Sequence, residues 1–238
     1  MKEVQDRARL RSYLEMYQLG TVFDERLQQH LSLYSFEQGE LICSQGDPAN
    51  TLYVLVKGKV KIYTTSAEGK TLILSFKNPL DIIGDIEYVQ GIEIINTVEA
   101  VSSVDMIGIP HRWLVKYAQD YPPFLQFLLK IITQKFFLKS NFLSFNLMHP
   151  VEVRLASYLL SITYDDSDSK FEGQLTSLSL KDAANLIGTS YRHLNRVIQK
   201  FCAEGLIERS KGSIKIIDRK GLSELASLNI YEREEGKP

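Results

Sequence analysis

Three cations stand at a spacing that can do chemistry: Arg192, Arg196 and Lys200 follow one another every four residues, with Tyr191, Asn195 and Gln199 beside them. On a helix an i, i+4, i+8 row lies along one face. Arginine forks onto the O6 and N7 atoms of guanine, asparagine or glutamine onto adenine, and lysine meets phosphate, so a basic row on a helix narrow enough for a major groove suits duplex DNA. The same stretch supplies the opposite face, because Leu194, Val197, Ile198 and Phe201 fall at core-facing positions.

The flanking residues predict how such a helix is held. Ser190 is an N-cap for it, and Gly188 fits a tight inter-helix turn. Before that turn, Ala183, Ala184 and Ile187 mark a first helix, with Ser179 as its cap three residues ahead of Asp182. After it, Leu206–Arg209 and Ser213–Ile217 read as a hairpin around Ser210, Lys211 and Gly212. The whole stretch, Ser179 to Ile217, reads as a winged helix-turn-helix. Ser190, Tyr191, Arg192, Asn195, Arg196, Gln199, Lys200 and Lys211 are the candidate DNA contacts.

Charge distribution agrees. The 238-residue chain has a net charge of −1, yet residues 176–220 hold nine cations against four acidic side chains, a local balance of +5. The length and 44% hydrophobic content suit two domains. Two distant cysteines, Cys43 and Cys202, indicate neither a disulfide framework nor a cysteine metal cluster, which fits a reducing cytoplasm. His30, His111, His149 and His193 show no metal-ligand spacing and are expected as surface or packing residues. There is no signal-peptide pattern, no apolar run of membrane-spanning length, no nucleophile–base constellation and no phosphate-cradling glycine loop, so an enzyme is not expected.

Upstream, residues 1–30 predict two short helices using Leu10, Leu14, Tyr17, Val22, Phe23 and Leu27. From Leu31 to Ile109 the pattern changes to short strands: Leu31–Phe36, Glu40–Ser44, Thr51–Val56, Lys59–Thr64, Thr71–Phe76, Ile94–Val101 and Val104–Ile109. Glycine and proline corners between them indicate a small antiparallel β-barrel or jelly roll, giving an α+β chain overall. Pro122-Pro123 opens a long helix in which Phe124, Ile131, Leu138 and Phe145 recur every seven residues, with Phe127, Gln134, Asn141 and Met148 on the companion row. That period predicts a two-stranded dimerisation seam registered by the two amides. His149-Pro150 ends the helix, Val151–Tyr164 form another, residues 165–173 make an acidic loop, and the chain closes on a frayed tail. The expected division is a sensor at 1–120, a dimerisation helix at 121–149 and a DNA-binding domain at 150–238.

Gly39-Glu40, Gly46-Asp47-Pro48 and Val56-Lys57-Gly58-Lys59-Val60, joined to the winged motif, resemble the cyclic-AMP receptor protein/FNR superfamily of transcription regulators over nearly the whole chain. GDIEYV at 84–89 and GTSYRHLNRVIQKF at 188–201 resemble its YeiL-type branch. The resemblance implies a homodimer on double-stranded DNA, with RNA polymerase as a partner, and places an effector pocket at Gly84, Asp85, Ile86, Glu87, Ile94 and Ile95. In members that bind cyclic nucleotides an arginine–serine pair clamps the phosphate, whereas this chain reads Glu93-Ile94-Ile95-Asn96-Thr97 there. Without that cation cyclic AMP is not expected to bind. An FNR-type iron–sulfur cluster would need four cysteines, haem has no positive signal, and Cys43 reads as a packed thiol. No cofactor is assigned and the effector, if any, stays open; the alternative is a small-molecule or redox sensor whose DNA binding is secondary.

Overall fold

The structure is a computed structural model and describes residues 2–69, 71–162, 177–210 and 213–226. In chain order the elements are β1 (Lys2–Val4), α1 (Arg7–Met16), α2 (Glu25–Gln28), β2 (Ser32–Phe36), β3 (Leu41–Cys43), β4 (Thr51–Lys57), β5 (Val60–Thr65), β6 (Thr71–Lys77), β7 (Ile82–Ile83), α3 (Asp85–Gln90), β8 (Thr97–Ala100), β9 (Val104–Pro110), α4 (His111–Tyr117), α5 (Pro122–Met148), α6 (Val151–Ile162), α7 (Ser177–Leu186), α8 (Tyr191–Ala203), β10 (Ile207–Ser210), β11 (Ser213–Ile216) and α9 (Arg219–Ala226). They fall into two compact units, one drawn from 1–65 and 77–136, the other from 66–76 and 137–238.

In the first unit, antiparallel strands run β1-β2-β9-β4-β7 in one sheet, and β3-β8-β5 are consecutive in a second. The result is an open two-sheet jelly roll in which the sheets do not close into a barrel. Strand periodicity explains its layers. On β4, Leu55 points between the sheets, where Phe36, Ile42, Val60, Val98 and Met106 meet it. Leu52, Val54 and Val56 point the other way, onto Leu14, Phe23, Leu114 and Phe124 of the helical layer. Gly108 on β9 must lack a side chain, since a Cβ there would stand 2.4 Å from the Tyr34 ring and 3.1 Å from that of Tyr53. Asp105, almost fully buried, ties α1 to β9: Ser35 and Tyr13 hydroxyls donate to it at 2.6 Å, and Arg9 pairs with it. Those donors and the cation hold its carboxyl below the usual range, although burial alone would raise it.

Two N-terminal helices were expected and occur, but β1, pairing Glu3 with Tyr34, was not. Nor were the two-residue β7 and the helix α3. The helix before the inter-helix turn starts at Ser177, so Ser179 lies inside it and is not its N-cap. The long helix begins at Pro122 as expected and ends at Met148, immediately before His149-Pro150.

The expected heptad row differs in burial along its length. Phe124, Ile131 and Phe145 are buried within the single chain, and Phe127, Gln134 and Leu138 are part-buried; only Asn141 and Met148 of that set are exposed. Phe124 and Phe127 pack on Phe23, with ring centroids 6.3 and 6.5 Å apart. Phe124 and Ile131 belong to the core cluster of the first unit, with Phe127 packed against it, because α5 is apolar around most of its surface. A different stripe is left outside: Leu125, Leu129, Phe136, Leu143 and Leu147, with Leu129 62%, Phe136 72% and Leu147 79% exposed. Ile132, half-buried, continues it between Leu129 and Phe136.

Candidate nucleic-acid interface

The second unit builds a surface around α8. Leu194, Val197, Ile198 and Phe201 are buried against Leu155, Leu159, Ala184 and Ile207 in one cluster, which fixes the helix's roll. Ser190 caps its start, its Oγ accepting the His193 N–H at 3.2 Å. With the apolar face committed, Tyr191, Arg192, Arg196, Gln199 and Lys200 are exposed. Lys200 Nζ lies 3.9 Å from Glu152 on α6, a solvent-facing pair worth at most about 1 kcal/mol. Asn195 is half-buried because both ends of its amide are engaged. Its Nδ2 donates to the Tyr191 carbonyl at 3.1 Å, and its Oδ1 accepts from Arg209 Nη1 at 2.8 Å. Lys211 lies outside the described residues.

Arg209, on the wing strand β10, was not among the sequence candidates. No local pattern singles it out; its place follows only from the β10–β11 hairpin, in which Arg209 pairs with Ile214. It belongs to a small polar group with Tyr191, whose phenol is held below its usual range by its hydrogen bond with Asn195, and further by Arg209 and Lys181. The Lys181 ammonium stands 6.0 Å from the Tyr191 ring centre.

The turn between α7 and α8 is fixed by a cation that sequence reading also missed. Arg154 of α6 is nearly buried, and its Nη1 donates to the carbonyl of Ile187 and, at 3.3 Å, to that of Gly188. Asn146 Nδ2 adds a 3.3 Å bond to the Leu186 carbonyl. These donors satisfy carbonyls left over at the end of α7, where a positive charge also complements the helix dipole. Gly188 has φ +67, and a Cβ there would stand 3.1 Å from Arg154 Nη1, so glycine fits on both counts.

In the first unit the sensor candidates form a closed set of polar contacts. Gly84, at φ +86, turns β7 into α3. Asp85 is buried, with both carboxylate oxygens 2.8 Å from Lys135 Nζ, and Lys135 also donates to the Ile82 carbonyl at 2.7 Å. Glu87 is buried too, and its Oε1 accepts the Ile95 N–H at 3.1 Å. Ile86 is half-buried, Ile94 buried and Ile95 exposed. Burial, and then the charge of Glu87, push the Cys43 thiol up to about 12, which leaves little thiolate at neutral pH. Three histidines pack on aromatic rings: His30 stacks on Trp113 with centroids 3.7 Å apart, His111 lies edge-on to Tyr88 at 5.1 Å and His149 sits 4.3 Å from Phe145. Among the described residues no group of three or more His, Cys, Asp or Glu side chains can hold a metal ion, and no helix is long and apolar enough to cross a membrane.

Comparison with known proteins agrees with this architecture. Residues 33–121 match the family model of the cyclic nucleotide-binding domain, and residues 153–225 that of the Crp-like helix-turn-helix domain. The chain is 28% identical to the Regulatory protein YeiL of Escherichia coli O157:H7 over 82% of this chain and 85% of that one. It is 22% identical to a CRP-like cAMP-activated global transcriptional regulator of Mycobacterium tuberculosis over 84% of this chain and 90% of that one. A CRP/FNR-family transcriptional regulator from Thermus thermophilus shares the fold, with a TM-score of 0.64, 24% identity, and coverage of 83% of this chain and 99% of that chain. A cyclic nucleotide-binding-type domain and a Crp-like helix-turn-helix domain in one chain define a class, and the chain belongs to the cyclic-AMP receptor protein/FNR superfamily of DNA-binding transcription regulators, which are not enzymes. Within that superfamily it falls with the YeiL-type branch.

Proposed function

We propose that the chain acts in the cytoplasm as a homodimeric, sequence-specific regulator that grips double-stranded DNA with the outward face of α8 and influences RNA polymerase from the bound site. The observation that carries the reading is the division of α8 into a fully buried apolar face and an exposed face holding Arg192, Arg196, Gln199 and Lys200. Arg192, within a turn of the helix start, and Arg196, one turn later, are the base readers; Lys200 meets the backbone. The working division is 1–120 for sensing, 121–149 for dimerisation and 150–238 for DNA.

Two copies meet along the outer stripe of α5, on Leu125, Leu129, Phe136, Leu143 and Leu147 with Ile132 among them. An apolar row of this kind, at spacings of three, four and seven, is costly to leave in water and suits a helix pair. The sensor does not take cyclic AMP: the apolar Ile94 and Ile95 stand in the stretch where the phosphate clamp is expected, Glu87 occupies the Ile95 N–H, and Lys135 spends its three protons on Asp85 and Ile82. Selection of bound sequences from a random duplex pool tests the reading. The expected product is a two-fold-symmetric site with half-sites about one helical turn apart. Recovery of no enriched sequence at physiological salt would favour instead a sensor whose DNA contact is secondary.

A further inference from the structure

The polar group that joins the wing to the recognition helix assigns roles that the basic row alone does not. An asparagine that reads adenine must offer both an acceptor and a donor to the base edge. Asn195 has committed its Oδ1 to Arg209 at 2.8 Å and one Nδ2 proton to the Tyr191 carbonyl at 3.1 Å. The amide cannot turn over without setting oxygen against the carbonyl and NH2 against the guanidinium, so both bonds fix one orientation. Arg209, by contrast, is exposed, and among the described residues no carboxylate pairs with it. Its planar fork has five N–H donors; one is anchored on Asn195 and the Tyr191 phenol engages another, which holds the exposed guanidinium beside α8 with donors to spare.

We infer that Arg209 is a further ligand of the DNA backbone and that Asn195 is its positioning residue, not a base reader. The inference rests on the proposal that the outward face of α8 meets DNA. A guanidinium held against the recognition helix from a neighbouring strand matches a phosphate, which takes a bidentate fork and carries no sequence information. Losing it therefore changes affinity and salt dependence and leaves sequence preference alone.

The test uses the full-length protein and its selected duplex, titrated by fluorescence anisotropy across a series of KCl concentrations. Arg209→Ala is expected to weaken binding by roughly threefold to tenfold and to reduce the slope of log affinity against log salt by about one, with the selected sequence unchanged. Arg209→Lys should restore the slope but not the full affinity, since it keeps the charge and loses the fork. Asn195→Ala should weaken binding less than Arg209→Ala, and the double variant should match Arg209→Ala alone, because both act through one contact. Should Asn195→Ala instead relax preference at one base pair while Arg209→Ala leaves the salt slope untouched, the assignment is overturned and Asn195 is a reader. Arg196→Ala in the same titrations separates the two levels. If it too changes nothing, the α8 interface itself fails; if it behaves as a reader while Arg209→Ala does nothing, only the present inference falls.

Discussion

Lys135 and Asp85, fifty residues apart in sequence, form a buried pair in which one ammonium meets both carboxylate oxygens at 2.8 Å and the Ile82 carbonyl at 2.7 Å. The pair joins the long helix α5 to the first residue of α3. Both side chains are largely buried, and removing one charge leaves the other desolvated and unpaired, which costs about 3–5 kcal/mol. Lys135→Met is therefore expected to lower stability by that amount in chemical denaturation. Lys135→Met with Asp85→Leu should recover most of the loss, since no charge then remains buried. A fully stable Lys135→Met protein would show that Asp85 is not dependent on this cation.

Dimerisation tests the two faces of α5 against each other. Leu129→Glu with Phe136→Glu places charge on exposed positions and is expected to yield a folded monomer by analytical ultracentrifugation, with an unchanged circular dichroism spectrum. Ile131→Glu, at a position only 4% exposed, is expected to destabilise the chain itself, because a lone carboxylate would enter the core of the first unit. A folded monomer from the Ile131 variant and an intact dimer from the Leu129/Phe136 variant would restore the heptad seam.

Cyclic AMP is expected to give no saturable heat in titration calorimetry and no change in DNA affinity. The Lys135 ammonium beside α3 is already saturated with acceptors, and the Ile95 N–H is held by Glu87. Saturable micromolar binding that disappears in Lys135→Met would contradict this and would mean that the ammonium leaves Asp85 for the phosphodiester.

Much of this fold was legible because its signals are local. The α8 face follows from four apolar residues at helical spacing and a serine cap, and the principal strands follow from alternation and glycine corners. Elements with no period of their own escaped: β1 has three residues, β7 two, and α3 follows a glycine that reads equally well as a turn. The α5 period alone does not single out one row as the seam. On a helix apolar around most of its surface, a seven-residue period exists on more than one row, and only the packing of Phe124 and Phe127 on Phe23 decides which row the chain uses itself. The polar pairs Lys135–Asp85, Arg154–Ile187 and Arg209–Asn195 were invisible because each joins two elements whose juxtaposition is a property of the fold and not of any window of sequence.

The central claim is that α8 reads DNA, and it is tested most directly by repeating the selection of bound sequences with Arg192→Ala, Arg196→Ala and Lys200→Ala. Loss of an arginine that forks onto guanine is expected to cost about 1–3 kcal/mol and to relax preference at one position in each half-site, so that at least one of the two arginine variants selects a broadened site. Lys200→Ala should bind all sequences more weakly, with an unchanged preference and a shallower salt dependence. An unaltered selected sequence in both arginine variants would contradict the account and place specificity in the wing or in DNA deformation.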